Sequence, residues 1–139
     1  MDREKLEAFF LNALRIMAGF LFFQHGAQKL WGWFDGTQVE FLELRFFAGV
    51  IEFFGGILIM LGLATRAVAF LAAGLMAFAY FLVHWPQDFW PIVNAGSLAA
   101  LYCFVFLYLV VRGGGAFSLD GLLVRKERKE EEAERAPPV

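Results

Sequence analysis

Four stretches of the chain are apolar for long enough to cross a bilayer, and short polar breaks divide them. They run roughly Phe9–Trp31, Phe46–Leu63, Ala67–His84 and Pro91–Val111. A membrane-spanning helix needs about 20 mostly apolar residues, and a helix satisfies its own backbone groups in lipid. The pattern predicts an all-α, integral-membrane four-helix bundle of antiparallel, up-and-down topology. Only Ala64-Thr65-Arg66 separates the second span from the third, a tight hairpin. Trp85–Trp90 separates the third from the fourth, where prolines break the helices. The longer connection Gly32–Arg45 leaves two readings for Thr37–Arg45, a short interfacial helix or a plain loop. The first span reads as a retained helix rather than a cleaved signal. It has no small-residue cleavage site, and Gln24, His25, Gln28 and Lys29 crowd its far end. Residues 1–123 form the membrane domain and 124–139 a charged tail. Gly113-Gly114-Gly115 ends the last span, Ser118 or Asp120 can cap a new helix, and the run beyond is helical by propensity.

Composition sharpens this picture. The apolar residues make up 60% of the 139, more than so short a soluble chain can bury. Disorder is excluded for the same reason. The formal net charge is −2, with no basic face for nucleic acid. The one cysteine, Cys103, excludes an internal disulfide and any Cys-based metal site; the sequence predicts no metal centre. Redox chemistry would need a bound cofactor, a quinone-type substrate or a partner protein.

The position of the charges sets an orientation. With four spans, both termini and the Ala64–Arg66 hairpin share one side. That side carries Arg3, Lys5, Arg66, Arg112, Arg125, Lys126, Arg128, Lys129 and Arg135, against Lys29 and Arg45 on the other. The excess predicts cytoplasmic termini. Trp31, Trp33, Trp85 and Trp90 all flank the outer ends of the spans, as an interfacial belt would. In the tail, Arg125, Lys126, Arg128 and Lys129 either face solvent or touch anionic lipid head groups.

Ionisable residues inside a span are costly and point to function. His25 and Glu52 each lie six residues, about 9 Å, below the outer end of their helix. His84 closes the outer end of the third span, and Asn94 stands one turn into the fourth. Arg15, Phe22, His25 and Lys29 fall within an arc of roughly 80° on the first helix. Gly49, Glu52 and Gly56 share a face of the second, where glycines admit a close neighbour. Two readings remain open. Glu52 can pair with Lys29 or His25 and simply lock the bundle. Or Glu52 and His25 can form a proton-handling site, with Lys29, His84 and Asn94 as donors to a quinone headgroup and Trp31, Phe22, Phe53 and Trp85 as its wall. Arg15 either snorkels to head groups or holds a cluster of carbonyls. The depths of His25 and His84 differ by about 9 Å, which argues against a shared haem iron. No mid-membrane broken-helix pair or charge ring suggests a transporter or channel.

Several motifs resemble those of the DoxX family. Arg15-Ile-Met-Ala-Gly-Phe-Leu-Phe-Phe-Gln-His-Gly-Ala-Gln-Lys resembles its first-helix signature. Gly49-Val-Ile-Glu-Phe-Phe-Gly-Gly and Leu61-Gly-Leu-Ala-Thr-Arg are similar to its second-helix elements, and Phe117-Ser-Leu-Asp-Gly-Leu-Leu to its terminal motif. The motif falls on Arg15, His25, Gly26, Lys29, Glu52, Gly55, Gly56, Thr65 and Arg66. Of these, Arg15, Gly26, Gly55, Gly56 and Arg66 are expected to be structural. The resemblance implies a small bacterial inner-membrane protein in the lipid bilayer. It implies a redox-linked subunit like that of thiosulfate:quinone oxidoreductase, with quinone as bound substrate. An oxidoreductase partner subunit or a second copy would accompany it. The alternative is a non-catalytic scaffold that anchors oxidoreductase or oxidant-defence proteins.

Overall fold

A computed structural model describes residues 2–135, which fold into five α-helices with no strand among them. They are α1 (Arg3–Trp31), α2 (Leu44–Leu61), α3 (Thr65–Ala79), α4 (Ser97–Arg112) and α5 (Leu119–Arg135). A π-helical turn, Tyr80–His84, prolongs α3. Helix α1, α2 and the α3 segment through His84 are each long and apolar enough to cross a membrane. Helix α4 is apolar but has 16 residues, about 24 Å of rise.

That shorter α4 corrects the boundary expected at Pro91. Residues 91–95 are turns. The Asn94 side-chain oxygen accepts the Gly96 N–H at 2.7 Å, a local bond that competes with helix. Ala95 then takes a left-handed conformation at φ 58°. Between α1 and α2 no helix forms over residues 32–43, so the loop reading holds there and only Leu44 and Arg45 are helical. The hairpin between α2 and α3 turns at Gly62 (φ 69°) and Ala64 (φ 49°), and Thr65 already belongs to α3.

The packing is inverted relative to a soluble bundle. Phe70, Phe104, Val111 and many other large apolar side chains are exposed, while Arg15, Glu52, Asn94 and Thr65 are buried. Helix α1 packs on α2 at backbone contact. A Cβ on Gly19 would lie 2.7 Å from the Gly56 carbonyl oxygen, and one on Gly56 the same distance from that of Gly19. A Cβ on Gly26 would strike the backbone of Phe53 and lie 2.7 Å from the Gly49 oxygen. The seven-residue spacing on both helices thus makes an antiparallel small-residue seam. Gly55 lies off it, with only Val68 and Phe22 side chains near. Helix α4 packs on α3, and the two pairs meet where the Phe22 ring lies 4.8 Å from Phe106.

Candidate functional site

At one end of the bundle, polar groups tie the helix ends together. Arg15 is 1% exposed. Its Nη1 donates to the Ile59 oxygen at 2.7 Å and to that of Met60, carbonyls in the last turn of α2, where Ile59 also accepts the Gly62 N–H at 3.1 Å. Its Nη2 donates to Asn12 at 3.1 Å and to the Phe117 carbonyl at 2.9 Å. Of the two roles open to Arg15, the structure has the carbonyl cluster. Arg66 likewise donates to the Val110 oxygen near the end of α4, at 3.0 Å. Asp120 accepts the Ala64 and Thr65 N–H groups at 2.7 and 2.8 Å, capping α3 from a distant part of the chain. Ser118 caps α5, accepting the Gly121 N–H at 3.0 Å. Burial alone would raise the Asp120 carboxyl. The Thr65 and Ala64 hydrogen bonds and the Arg15 charge outweigh it and hold Asp120 below the ordinary carboxylate range.

At the other end, the small-residue seam brings Lys29 of α1 beside Glu52 of α2. Lys29 Nζ lies 2.5 Å from both carboxylate oxygens. Glu52 is 3% exposed, so the lysine supplies the charge that burial requires. His25 makes no hydrogen bond to Glu52. Its Nδ1 sits 2.9 Å from the Leu21 carbonyl oxygen, one turn back on its own helix. That oxygen can only accept, so Nδ1 carries the proton and Nε2 is the free ring nitrogen. His84 is set the same way, with Nδ1 2.9 Å from the Asn94 carbonyl oxygen. The two histidines therefore offer acceptors when neutral, where the sequence suggested donors.

These four side chains line one cavity of about 250 Å³, enclosed by α1, α2, α3 with its π turn, and α4. A π turn re-aims the side chains that follow it, and here it carries His84 to the cavity. Tyr102 of α4 completes the lining. Its ring packs against those of Phe22 and Phe106, at 5.7 and 5.5 Å, and stands edge-on to His25 at 6.2 Å. Its hydroxyl is buried without a hydrogen-bond partner. Buried hydroxyls normally have one. A second, more apolar cavity of about 440 Å³ opens between α2 and α3, and Lys29, Glu52, Met76, Ala79 and His84 line both.

The remaining sequence candidates lie elsewhere. Asn94 is buried, but its amide donates to the Asp88 carbonyl at 2.8 Å and its oxygen is taken by Gly96. It shapes the loop that holds His84 and does not line the cavity. Trp31 packs on Phe53 and Trp33, at 4.6 and 5.4 Å. Trp85 packs on Phe89 at 5.3 Å. Both tryptophans are about half exposed, outside the cavity wall. Tyr102 was missed because nothing in an apolar helix marks one tyrosine as facing inward. Asp120 was missed as the α3 cap because its partners are more than fifty residues away. Among the described residues no group of His, Cys, Asp and Glu could hold a metal ion.

Comparison with known proteins agrees with the membrane reading. Residues 10–85 match the DoxX family model. A Haemophilus influenzae protein described as "Uncharacterized protein" is 40% identical over 130 residues, 88% of this chain and 97% of its own length. The Escherichia coli "Inner membrane protein YqjF" is 33% identical over 132 residues, 88% of this chain and 98% of its own. The Bacillus subtilis "Putative oxidoreductase CatD" is 27% identical over 122 residues, 83% of this chain and 87% of its own. No solved structure matches.

Proposed function

This chain belongs to the DoxX family of membrane proteins, and we propose that it is a redox-linked inner-membrane subunit that binds a quinone headgroup in the Tyr102–His25–His84 cavity. The observation that carries the reading is a buried Tyr102 hydroxyl with no hydrogen-bond partner, on a side chain that lines one small cavity together with Glu52, Lys29 and two histidines. A quinone presents carbonyl oxygens that need donors, and Tyr102 and Lys29 supply them. Its reduced form presents hydroxyls that need acceptors, and the Nε2 atoms of His25 and His84 supply those. Two electrons and two protons convert one into the other. The protons pass through His25, His84 and the Glu52–Lys29 pair. The electrons come from a partner oxidoreductase subunit, as in a thiosulfate:quinone oxidoreductase. The 440 Å³ apolar cavity between α2 and α3 suits the first part of an isoprenoid tail. The oxidoreductase-named relative supports this class of chemistry.

In the same proposal α4 is the fourth span, helped across by the turns that precede it, and both termini are cytoplasmic. Reporter fusions after Arg66 and Arg135 then score cytoplasmic, and one in the Trp85–Trp90 loop scores external.

One observation favours a scaffold instead. Both oxygens of Glu52 are already satisfied by Lys29, as a pure structural lock would have them. Extraction of the protein purified in mild detergent, followed by mass spectrometry, separates the two. A quinone that co-purifies with the wild type and is depleted in Tyr102→Phe supports the site. A wild type without quinone, and without affinity for added short-chain ubiquinone or menaquinone, supports the scaffold.

A further inference from the structure

At the end of the bundle opposite the Glu52 cavity, four arginines surround a cleft that nothing above uses. We propose that this cleft is a phosphate-binding site, its ligand a phosphate ester of an acidic lipid or a soluble phosphate. Arg66, Arg112, Arg125 and Arg128 line a cavity of about 600 Å³, walled by the backbone of Gly113–Gly115. None of the four has a carboxylate partner among the described residues. Arg66 spends one N–H on Val110. The only acid in the lining is Asp120, whose two oxygens are committed to the backbone of Ala64 and Thr65. The cleft thus holds three positive charges in excess, in the planar forks that suit phosphate.

Thr65, 1% exposed, and Gly114 close the floor of the cleft, where a Cβ on Gly114 would lie 2.7 Å from both the Thr65 and the Ser118 hydroxyl oxygens. A further observation points to a ligand. The face that α5 turns to the cleft is selective. Gly121, Val124, Arg125 and Arg128 line it, whereas Lys126 pairs with Glu130 at 3.7 Å and Lys129 takes no part. A general attraction of the basic tail to a membrane surface would not sort the tail's cations in this way. The neighbouring Leu122 and Leu123 are exposed, which suits a headgroup whose acyl chains continue beside the bundle.

The test compares two charge-matched variants of the full chain, Arg125→Gln/Arg128→Gln and Lys126→Gln/Lys129→Gln. All four side chains are exposed on α5, so both variants keep the fold. Thermal stability in neutral detergent is followed during titration with phosphatidylglycerol, with phosphatidylcholine, and with inorganic phosphate against chloride of equal ionic strength. A bound ligand raises the melting temperature by mass action. Stabilisation by phosphatidylglycerol over phosphatidylcholine is expected for the wild type and the lysine variant. The arginine variant is expected to need on the order of tenfold more lipid. The same pattern with inorganic phosphate alone assigns the cleft to a soluble phosphate. Equal losses in the two variants, or no stabilisation by either phosphate source, overturn the proposal.

Discussion

Lys29 on α1 holds both carboxylate oxygens of Glu52 on α2 at 2.5 Å, across a helix pair packed at backbone contact. Breaking either side of such a pair strands a charge in a low-dielectric interior. Lys29→Met and Glu52→Leu should each cost about 3–5 kcal/mol. The Lys29→Met/Glu52→Leu double variant, which strands nothing, should recover most of that loss. Thermal melts of the three variants in detergent measure the coupling. Additive losses would mean the pair does not stabilise the bundle as a unit.

The contact that makes this pair possible depends on absent side chains. Gly26→Ala and Gly56→Ala should each destabilise by about 1–3 kcal/mol, because the new methyl meets backbone that cannot move aside. Gly74→Ala is the control, since nothing lies within 4 Å of its Cβ. It should be neutral or mildly stabilising. A thermal melt in which all three behave alike would contradict the seam.

Asp120 is expected to hold the α2–α3 turn through its charge. Asp120→Ala should cost about 1–2 kcal/mol at neutral pH. The carboxyl is held below its ordinary value in the folded protein. Its contribution is therefore complete above the unfolded value of about 4 and is lost as pH falls through the lower folded value. The stability gap between wild type and variant should be flat from pH 7 to 5 and close in acid. A gap that persists unchanged in acid would show that charge has no part in the cap.

Much of this was legible in the chain. The hydrophobic runs placed three helices long and apolar enough to cross a membrane, because lipid tolerates little else, and the polar residues His25, Lys29, Glu52 and His84 picked out along the chain line one cavity. The glycines flanking Glu52 announced a close helix contact. Side-chain direction was not legible. His25 and Lys29 stand one turn apart on α1, yet only Lys29 reaches Glu52, while His25 folds back onto Leu21. The start of α4 was misplaced because Pro91 to Ala95 is apolar enough to read as helix. Its turn is set by one Asn94 side chain and a left-handed Ala95. Asp120 and Arg15 act across the fold, on backbone groups that no local pattern exposes.

Tyr102→Phe separates a structural hydroxyl from a functional one. The hydroxyl has no protein partner, so its removal should leave the empty protein as stable as before or slightly more so. Quinone binding should weaken by about tenfold, the loss expected for one buried hydrogen bond. Melting curves with and without added short-chain ubiquinone read both effects. Destabilisation of the ligand-free protein would assign Tyr102 to the core alone.

The central claim is that the Glu52–Lys29 pair serves a quinone site and does not merely lock two helices. The most direct test is ubiquinone binding by the Lys29→Gln/Glu52→Gln double variant, by titration on protein whose melting curve confirms its fold. Two neutral amides keep the shape and a hydrogen bond between the helices, but remove the ammonium donor and the carboxylate. The account predicts a folded protein whose affinity for the quinone has fallen by about tenfold or more. Wild-type affinity in a folded double variant would contradict it.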